Sequence, residues 1–416
     1  MFIYFLFIRI AALFGHRKAR TLVRGQKETF AKHLQQLSEL QSPVWFHAAS
    51  VGEFEQARPL IERLRREHPQ QKIVVTFFSP SGYEARMHYN QADAVVYLPF
   101  ATRRNAKRFI QALQPKMAVF VKYEFWPAYI RELKKRNIPT YSICSIFRPN
   151  QYFFRWWGRT QLKVLRSFTH LYVQDEASKA LLAKYGVNNT SVAGDTRFDR
   201  MAEVIANGQK INGSKLTPLA QFANGCERVI IAGSTWPEDE ALLQQYMSRQ
   251  TENAVLPAKL VIVPHEIDAE HLHYIFNLFQ GRIVRYSALF GPVSDVSRLN
   301  ILQRADVMVV DTIGLLSSIY PFGQAAYIGG GFGEGIHNTI EAAAYGLPVV
   351  FGPNYHSFRE AQGLIDTGAG RSINSYDELE AALDTALEQS KLIGAKAVAY
   401  VESELGATNK IYKEIF

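Results

Sequence analysis

From Val44 onward, short apolar runs alternate with longer stretches whose apolar residues recur at helical spacing. VWFHAA (44–49) leads into 54–68, where Phe54, Ala57, Leu60, Ile61 and Leu64 share one helix face. KIVVTFF (72–78), DAVVYL (93–98), MAVFV (117–121), TYSICSI (140–146), HLYVQ (170–174) and TSVAG (190–194) continue the alternation. Near-continuous apolar strands separated by helices predict a parallel sheet covered on both faces. Around 201–224 the pattern breaks: INGSKLTPLAQFANG is rich in Gly, Ser, Asn and Pro, and 206–225 reads as a linker. A second series follows, RVIIAGS (228–234), KLVIVP (259–264), RIVRYS (282–287), DVMVVD (306–311), AAYIGG (325–330) and PVVFG (348–352). The expectation is an α/β chain of two doubly wound, Rossmann-like parallel-sheet domains, 23–205 and 226–416, facing a cleft. Its last helix is free to pack back on the first domain. Ligands in such sheets sit beyond the carboxyl ends of the strands.

Ahead of the first strand, MFIYFLFIRIAALF is apolar except for Arg9. The run is short of the ~20 residues needed to span a bilayer as a helix, and no small-residue cleavage site follows it. Arg17, Lys18, Arg20, Arg24 and Lys27 come next. Residues 1–22 therefore read as an anchor lying on or partly in a membrane, with Arg9 snorkelling, or as a helix packed on the protein itself. Large apolar residues without a polar face favour the anchor. At 416 residues, with 47% hydrophobic and 20% charged residues, the chain is globular and long enough for two cores. A net charge of +9 favours an anionic partner. Basic residues are scattered, not striped with aromatics, which argues against nucleic acid, whereas YFFRWWGR (152–159) suits the headgroup level of a membrane. Cys144 and Cys226 form no framework or metal spacing and fit a reducing compartment.

The loudest motif is YIGGGFGEGIHNTIEAAAYGLPVVFGP (327–353). Gly330 and Gly331 let backbone approach a ligand, and a helix opening near His337 and Asn338 would present N–H groups to an anion with Glu341 one turn in. A tight turn of any parallel sheet accounts for the glycines equally well. In HAASVGEFEQA (47–57), Glu53 follows a strand through a Ser50-Val-Gly52 turn, where the helix dipole should keep it ionised. It is a candidate proton acceptor, or the capping-box partner of Ser50. FFSPSGYE (77–84) offers Ser79, Ser81 and Gly82 to an anion or to an N-cap. VKYEFWP (121–127) puts Lys122 and Glu124 on one side of a strand end, as a sugar-orienting ion pair or a brace. In GDTRFDR (194–200), Arg197 faces either an anionic ligand or its acidic neighbours. AGSTWPEDE (232–240) suggests an anion-binding turn at Ser234 and Thr235, and Pro264 and His265 end the next strand. No metal-ligand spacing, Walker loop or G-x-S-x-G elbow is present.

HAASVGE, TFFSPSGYE, YEFWP, GDTRFD, AGSTWPEDE and GGGFGEGIHNTIEAAAYGLPVVFGP stand in an order and spacing that resemble the Kdo (3-deoxy-D-manno-octulosonic acid) transferases over residues 45–360. The resemblance implies an inverting glycosyltransferase of the GT-B fold that needs no metal and moves Kdo from CMP-Kdo to a lipid A precursor of the lipid IVA type. It implies an anchor on the cytoplasmic face of the bacterial inner membrane, an N-terminal acceptor domain and a C-terminal donor domain. Glu53 would be the general base. Ser50, Gly52, Ser79, Ser81, Gly82, Lys122 and Glu124 would lie on the acceptor side. Arg197, Ser234, Thr235, Pro264, His265, Gly330, Gly331, His337, Asn338 and Glu341 would lie on the donor side. The chain departs from the family pattern at Lys122, Ala128, His265, Glu266 and Leu315. A UDP-sugar 2-epimerase on the same fold, or a catalytically silent lipid A-binding membrane protein, are the alternatives.

Overall fold

The computed structural model describes residues 2–206, 213–253, 258–291 and 294–416. The chain forms two compact units. One runs through Arg200 and takes back Glu404–Phe416; the other is Met201–Ser403.

In the first unit seven parallel strands follow one another as β1 (Val44–Ala48), β2 (Ile73–Phe77), β3 (Ala94–Tyr97), β4 (Met117–Val121), β5 (Thr140–Ser145), β6 (His170–Val173) and β7 (Thr190–Val192). Their spatial order is β3-β2-β1-β4-β5-β6-β7, with Val44 level with Ile73 on one side and Met117 on the other. Every residue of β1, β2 and β4 is buried, which explains why these runs show no polar alternation. Side chains alternate between two cores: Trp45 and Phe120 join Phe109 and Tyr129 on one face, and Phe46 and Val119 join Phe54 and Phe77 on the other. The C-terminal helix Ala407–Ile415 closes the second of these cores with Ile411, Tyr412 and Ile415. Asp199 anchors its start by accepting the N–H groups of Gly406 and Thr408, each at 2.6 Å.

The second unit repeats the plan with β8 (Val229–Thr235), β9 (Lys259–Pro264), β10 (Ile283–Arg285), β11 (Val307–Val309), β12 (Ala325–Ile328), β13 (Val349–Phe351) and β14 (Gly370–Ser372), in the order β10-β11-β9-β8-β12-β13-β14. The edge strand β14, a Gly-Arg-Ser run without apolar residues, carries no strand signal in the sequence. The expected linker needs correction. Residues 207–212 lie outside the described residues, but Gly213–Ala223 is a helix of the second unit. Leu216, Leu219 and Phe222 recur at i, i+3 along it, Leu219 and Phe222 are buried, and Lys259 Nζ donates to Phe222 O at 2.6 Å. Its Gly, Ser and Pro content hid that spacing.

At the start of the chain, helix Phe2–Leu13 precedes helix Arg17–Glu28. The first helix packs on its own unit through Phe5, whose ring lies 4.7 Å from Phe100 and stacks on Trp126. Arg9, which the sequence suggests would snorkel, sits over the Phe100 ring at 5.5 Å. Phe7, Leu13 and Phe14 remain 66%, 81% and 88% exposed. Among the described residues no helix is long and apolar enough to cross a membrane. The second helix is tied down by Gln26, which accepts from Phe100 N at 3.0 Å, and followed by Thr29, whose hydroxyl donates to Tyr97 O at 3.0 Å.

The closing helix supplies a direct stability test. Because Ile411 is fully buried, Ile411→Ala is expected to destabilise the first unit by about 2–5 kcal/mol in denaturant unfolding. A loss within ~0.5 kcal/mol, the range of ordinary surface changes, would show that the helix does not complete the core.

Candidate active site

In the first sheet the strand order reverses beside β1, so connections from β1 and β4 leave in opposite directions and their carboxyl ends part. Glu53 follows β1 and Glu124 follows β4. Ser50 caps helix Val51–Glu67, its hydroxyl accepting from Glu53 N at 3.4 Å, while the Glu53 carboxylate turns back to accept from Ala49 N. The capping box is therefore formed. It does not keep Glu53 ionised as the dipole argument expects. Burial, followed by the nearby Glu124 charge, pushes its carboxyl up to about 7, against the pull of Ala49 N–H and Lys122. A carboxylate titrating there takes up and releases protons at neutral pH.

Glu124 is not paired with Lys122. Its Oε2 lies 3.0 Å from His47 Nε2 and accepts from Trp126 Nε1 at 2.6 Å. The reason is local backbone: β4 ends at Val121, and Lys122 has φ 50°, so strand alternation no longer fixes which side it faces. Ser79 ties the second loop to the first through its N–H to Ala49 O at 2.8 Å. Its hydroxyl accepts from Gly82 N at 3.1 Å and meets Ser81 Oγ at 2.9 Å, so this turn caps helix Pro80–Arg86. Gly52 is exposed on the first turn after Ser50.

Arg197 is engaged by protein. Its Nε and Nη2 grip the buried Asp195, Nη2 to Oδ2 at 2.7 Å, and Gln56 and Gln174 donate to the same oxygen at 2.9 and 3.0 Å. Burial alone would raise Asp195, but Arg197, Lys122 and Gln56 together hold it down at about 2. The residue expected on the donor side thus stands as a brace within the first unit.

The second sheet reverses beside β8, between β9 and β12. Here the expected anion turn is closed by acids. Helix Pro237–Asn253 opens with Glu238, Asp239 and Glu240. Asp239 Oδ2 accepts from Trp236 N at 3.0 Å and Gly330 N at 2.9 Å, and Oδ1 accepts from Tyr327 OH at 2.7 Å. Buried Thr235 gives its hydroxyl to Glu240 at 2.8 Å instead of to a ligand, and Glu240 meets His271 at 2.9 Å. Ser234 adopts φ 55° at the bend. Pro264 is buried at the end of β9, and His265 N donates to Thr235 O at 3.0 Å.

Three rings stack over these strand ends. His265 lies between Trp236, at 4.8 Å, and His337, at 4.3 Å. Trp236 Nε1 donates to His337 Nε2 at 3.3 Å; an indole N–H only donates, so the His337 ring proton sits on Nδ1. Burial, then His265, lowers His337 to about 4, and burial lowers His265 as well. His337 is a neutral donor at pH 7. The glycines serve backbone packing: a Cβ on Gly331 would meet Gly352 Cα at 2.6 Å, and Gly330, at φ 89°, would drive one to 2.5 Å from Gly335 O. The helix expected near Asn338 begins only at Ile340 and ends at Ala344. Asn338 Oδ1 takes the Ile340 N–H at 3.1 Å, and Nδ2 holds Glu341 at 2.9 Å. That helix start is occupied by its own side chain.

Residues 18–200 match the family model for 3-deoxy-D-manno-octulosonic-acid transferase (kdotransferase). The 3-deoxy-D-manno-octulosonic acid transferase of Rickettsia bellii is 27% identical over 402 residues, 93% of this chain and 88% of that one. The chain is similar to the Kdo transferases. It is a glycosyltransferase, and the Aquifex aeolicus transferase is a further relative, 26% identical over 86% of this chain and 89% of its own. Among solved structures, UDP-GlcNAc 2-epimerase of Neisseria meningitidis superposes with a TM-score of 0.64 at 14% identity, covering 89% of this chain and 98% of that one. At that identity the likeness shows the shared two-domain fold alone.

Sequence reasoning missed several residues that this fold brings to the strand ends. His47 and Thr76 near Glu124 stand in runs that read as apolar strands, and Trp126 in the VKYEFWP motif, although a histidine inside an otherwise apolar run was a usable signal. Asp239 and Glu240 were also passed over; three acids behind a proline-initiated helix mark them.

The raised Glu53 pKa makes a pH prediction independent of activity. A carboxyl raised from 4.5 to about 7 contributes stability fully below 4.5 and loses it as pH rises through 7. Glu53→Gln should therefore gain on the order of 2–3 kcal/mol relative to wild type between pH 4 and pH 8. Parallel stability curves across that range in denaturant titrations would show an unshifted Glu53.

Proposed function

We propose that the chain transfers Kdo from CMP-Kdo to a sugar hydroxyl of a lipid A precursor of the lipid IVA type, with inversion. The observation that carries this reading is Glu53, a half-buried carboxylate titrating at about 7 at the reversal point of the first sheet of a Kdo transferase. In this mechanism the Glu53 carboxylate removes the acceptor hydroxyl proton as the oxygen bonds to the anomeric carbon. The bond from that carbon to the phosphate breaks, and CMP leaves with its electrons. Glu124 and the Ser79–Ser81 turn hold the acceptor sugar. On the donor side, Nδ1–H of neutral His337 and the main chain around Gly330 meet the phosphate, supported by the Trp236–His265 stack. Arg197 is left out of that contact because Asp195 holds it. No group of three His, Cys, Asp or Glu among the described residues is arranged to hold a metal, and the proposed transfer uses none.

The same reading places the protein on the cytoplasmic face of a bacterial inner membrane. Exposed Phe7, Leu13 and Phe14 supply apolar surface, and Arg17, Arg20, Arg24 and Lys27 supply positive charge for anionic headgroups. Exposed Trp156 is a further interfacial side chain.

Two measurements test these statements. Incubation with CMP-Kdo and a lipid A precursor, read by mass spectrometry, should show Kdo added by wild type and a rate roughly 100-fold lower or less in Glu53→Gln, with CMP-Kdo still bound. Full-rate transfer by folded Glu53→Gln refutes the assigned base. Deleting residues 2–14 should abolish sedimentation with vesicles containing anionic lipid; undiminished sedimentation would place the anchor elsewhere.

A further inference from the structure

A cavity of about 830 Å³ lies between helices Phe2–Leu13 and Arg17–Glu28 and Phe100, within the ~300–1,000 Å³ of ordinary ligand clefts. Ala12, Leu13, Val23, Phe30 and Phe100 make its walls apolar. Arg9, Arg20, Arg24 and Lys27 stand around it, all four exposed. Glu28, an acid on the same rim, is met by Arg24 at 3.3 Å and Lys32 at 3.8 Å. Arg103 and Arg104 open helix Arg103–Leu113 next to the lining Asn105, with no acid in its first turn.

Gln26 marks the depth of this cavity. It lines the space and is only 4% exposed. A backbone N–H only donates, so the Gln26 atom 3.0 Å from Phe100 N is the oxygen, and the amide nitrogen is the other end. That Nε2 is buried without a hydrogen-bond partner among the described residues. A buried donor left unmet is costly, and a carbonyl entering the cavity would meet it. Asn105 Nδ2 donates to Phe100 O at 3.0 Å, so the Phe100 main chain is held from both sides.

We infer that this cavity seats one acyl chain of the acceptor lipid, with the acyl carbonyl on Gln26 Nε2 and a headgroup phosphate on the arginine and lysine rim. The inference rests on the transfer reading above. Apolar walls take a hydrocarbon chain, a buried donor takes the carbonyl at the root of that chain, and cations take phosphate. A free phosphate would leave the walls uncovered. Phe100 connects the cavity to the acceptor in particular. Its ring lies 4.7 Å from Phe5 and 6.5 Å from Phe78, and these rings lie 6.1 and 4.8 Å from Trp126. Trp126 Nε1 donates to Glu124. An aromatic wall thus runs from the cavity to the carboxylate assigned to the acceptor sugar.

Two variants of the full chain test this. Ala12→Phe fills the cavity without removing a side-chain hydrogen bond. Gln26→Glu keeps an oxygen for Phe100 N but replaces the amide nitrogen; at about pH 8 the new carboxyl, among these cations, is ionised and only accepts. Folding is checked by thermal unfolding, and if Gln26→Glu does not fold, Ala12→Phe decides alone. The measurement is binding of a radiolabelled acylated lipid A precursor, and of its fully deacylated sugar phosphate, in detergent micelles without CMP-Kdo. Wild type should prefer the acylated form, and each variant should lose roughly 10-fold in affinity for it while holding the deacylated form unchanged. Undiminished affinity in folded Ala12→Phe overturns the acyl site, and undiminished affinity in folded Gln26→Glu overturns the carbonyl contact. Displacement of the precursor by equimolar phosphatidylglycerol would give the cavity to membrane phospholipid and overturn the acceptor assignment. Kdo transfer by wild type, assayed alongside, separates the two readings. Transfer with no effect of Ala12→Phe on binding sinks the acyl site alone, whereas no transfer sinks the reading on which it rests.

Discussion

Each sheet reverses its strand order beside its first strand, and that constraint decides where polar chemistry can collect. Helices leaving the two strands at the reversal diverge, so the chain beyond β1 and β4, and beyond β8 and β12, is not covered by a crossing helix. The backbone N–H groups there still require partners. Both units answer with an acid from the helix that follows the first strand. Glu53 turns back to Ala49 N, and Asp239 takes Trp236 N and Gly330 N. One structural need, met twice, puts a carboxyl at each reversal point, half-buried for Glu53 and fully buried for Asp239.

Much of the fold was legible because the central strands are buried on both faces and read as unbroken apolar runs. What failed to show lacked that signal. β14 has no apolar residue, and helix Gly213–Ala223 buries Leu219 and Phe222 within a Gly, Ser and Pro-rich stretch. Motif positions were legible at the site, but partners were not. Lys122 leaves the strand at φ 50°, which defeats a two-residue alternation argument. Thr235 and Arg197 look like ligand contacts until Glu240 and Asp195 are seen to take them. Partnerships between residues distant in sequence, such as His47 with Glu124, follow from sheet order, which no local pattern encodes.

The glycine-rich loop after β12 shows how one motif serves structure first. Gly331 abuts Gly352 at the end of the adjacent strand, and Gly330 lies against the ring of His337. These contacts bring two strand ends close and seat His337 where Trp236 can donate to it. The loop's contribution to a ligand is then indirect: it orients a neutral imidazole, whose remaining N–H is fixed by an indole that can only donate.

Glu53 and Asp195 show why burial alone does not set a carboxyl's proton affinity. Both are withdrawn from water in the same unit, and desolvation raises both. Asp195 is met by Arg197 and two glutamines and is held at about 2, too weak a base to take a proton from a sugar hydroxyl. Glu53 receives main-chain N–H groups and faces a second carboxylate, and it rises to about 7. The difference lies in what each is given as a partner. An arginine beside Glu53 would stabilise its charge and the fold, but would remove its capacity to exchange protons near neutrality. An acid met by main-chain N–H groups and a second carboxylate, without an arginine, keeps its capacity to exchange protons near neutrality. The well-paired acids around it carry the structural load.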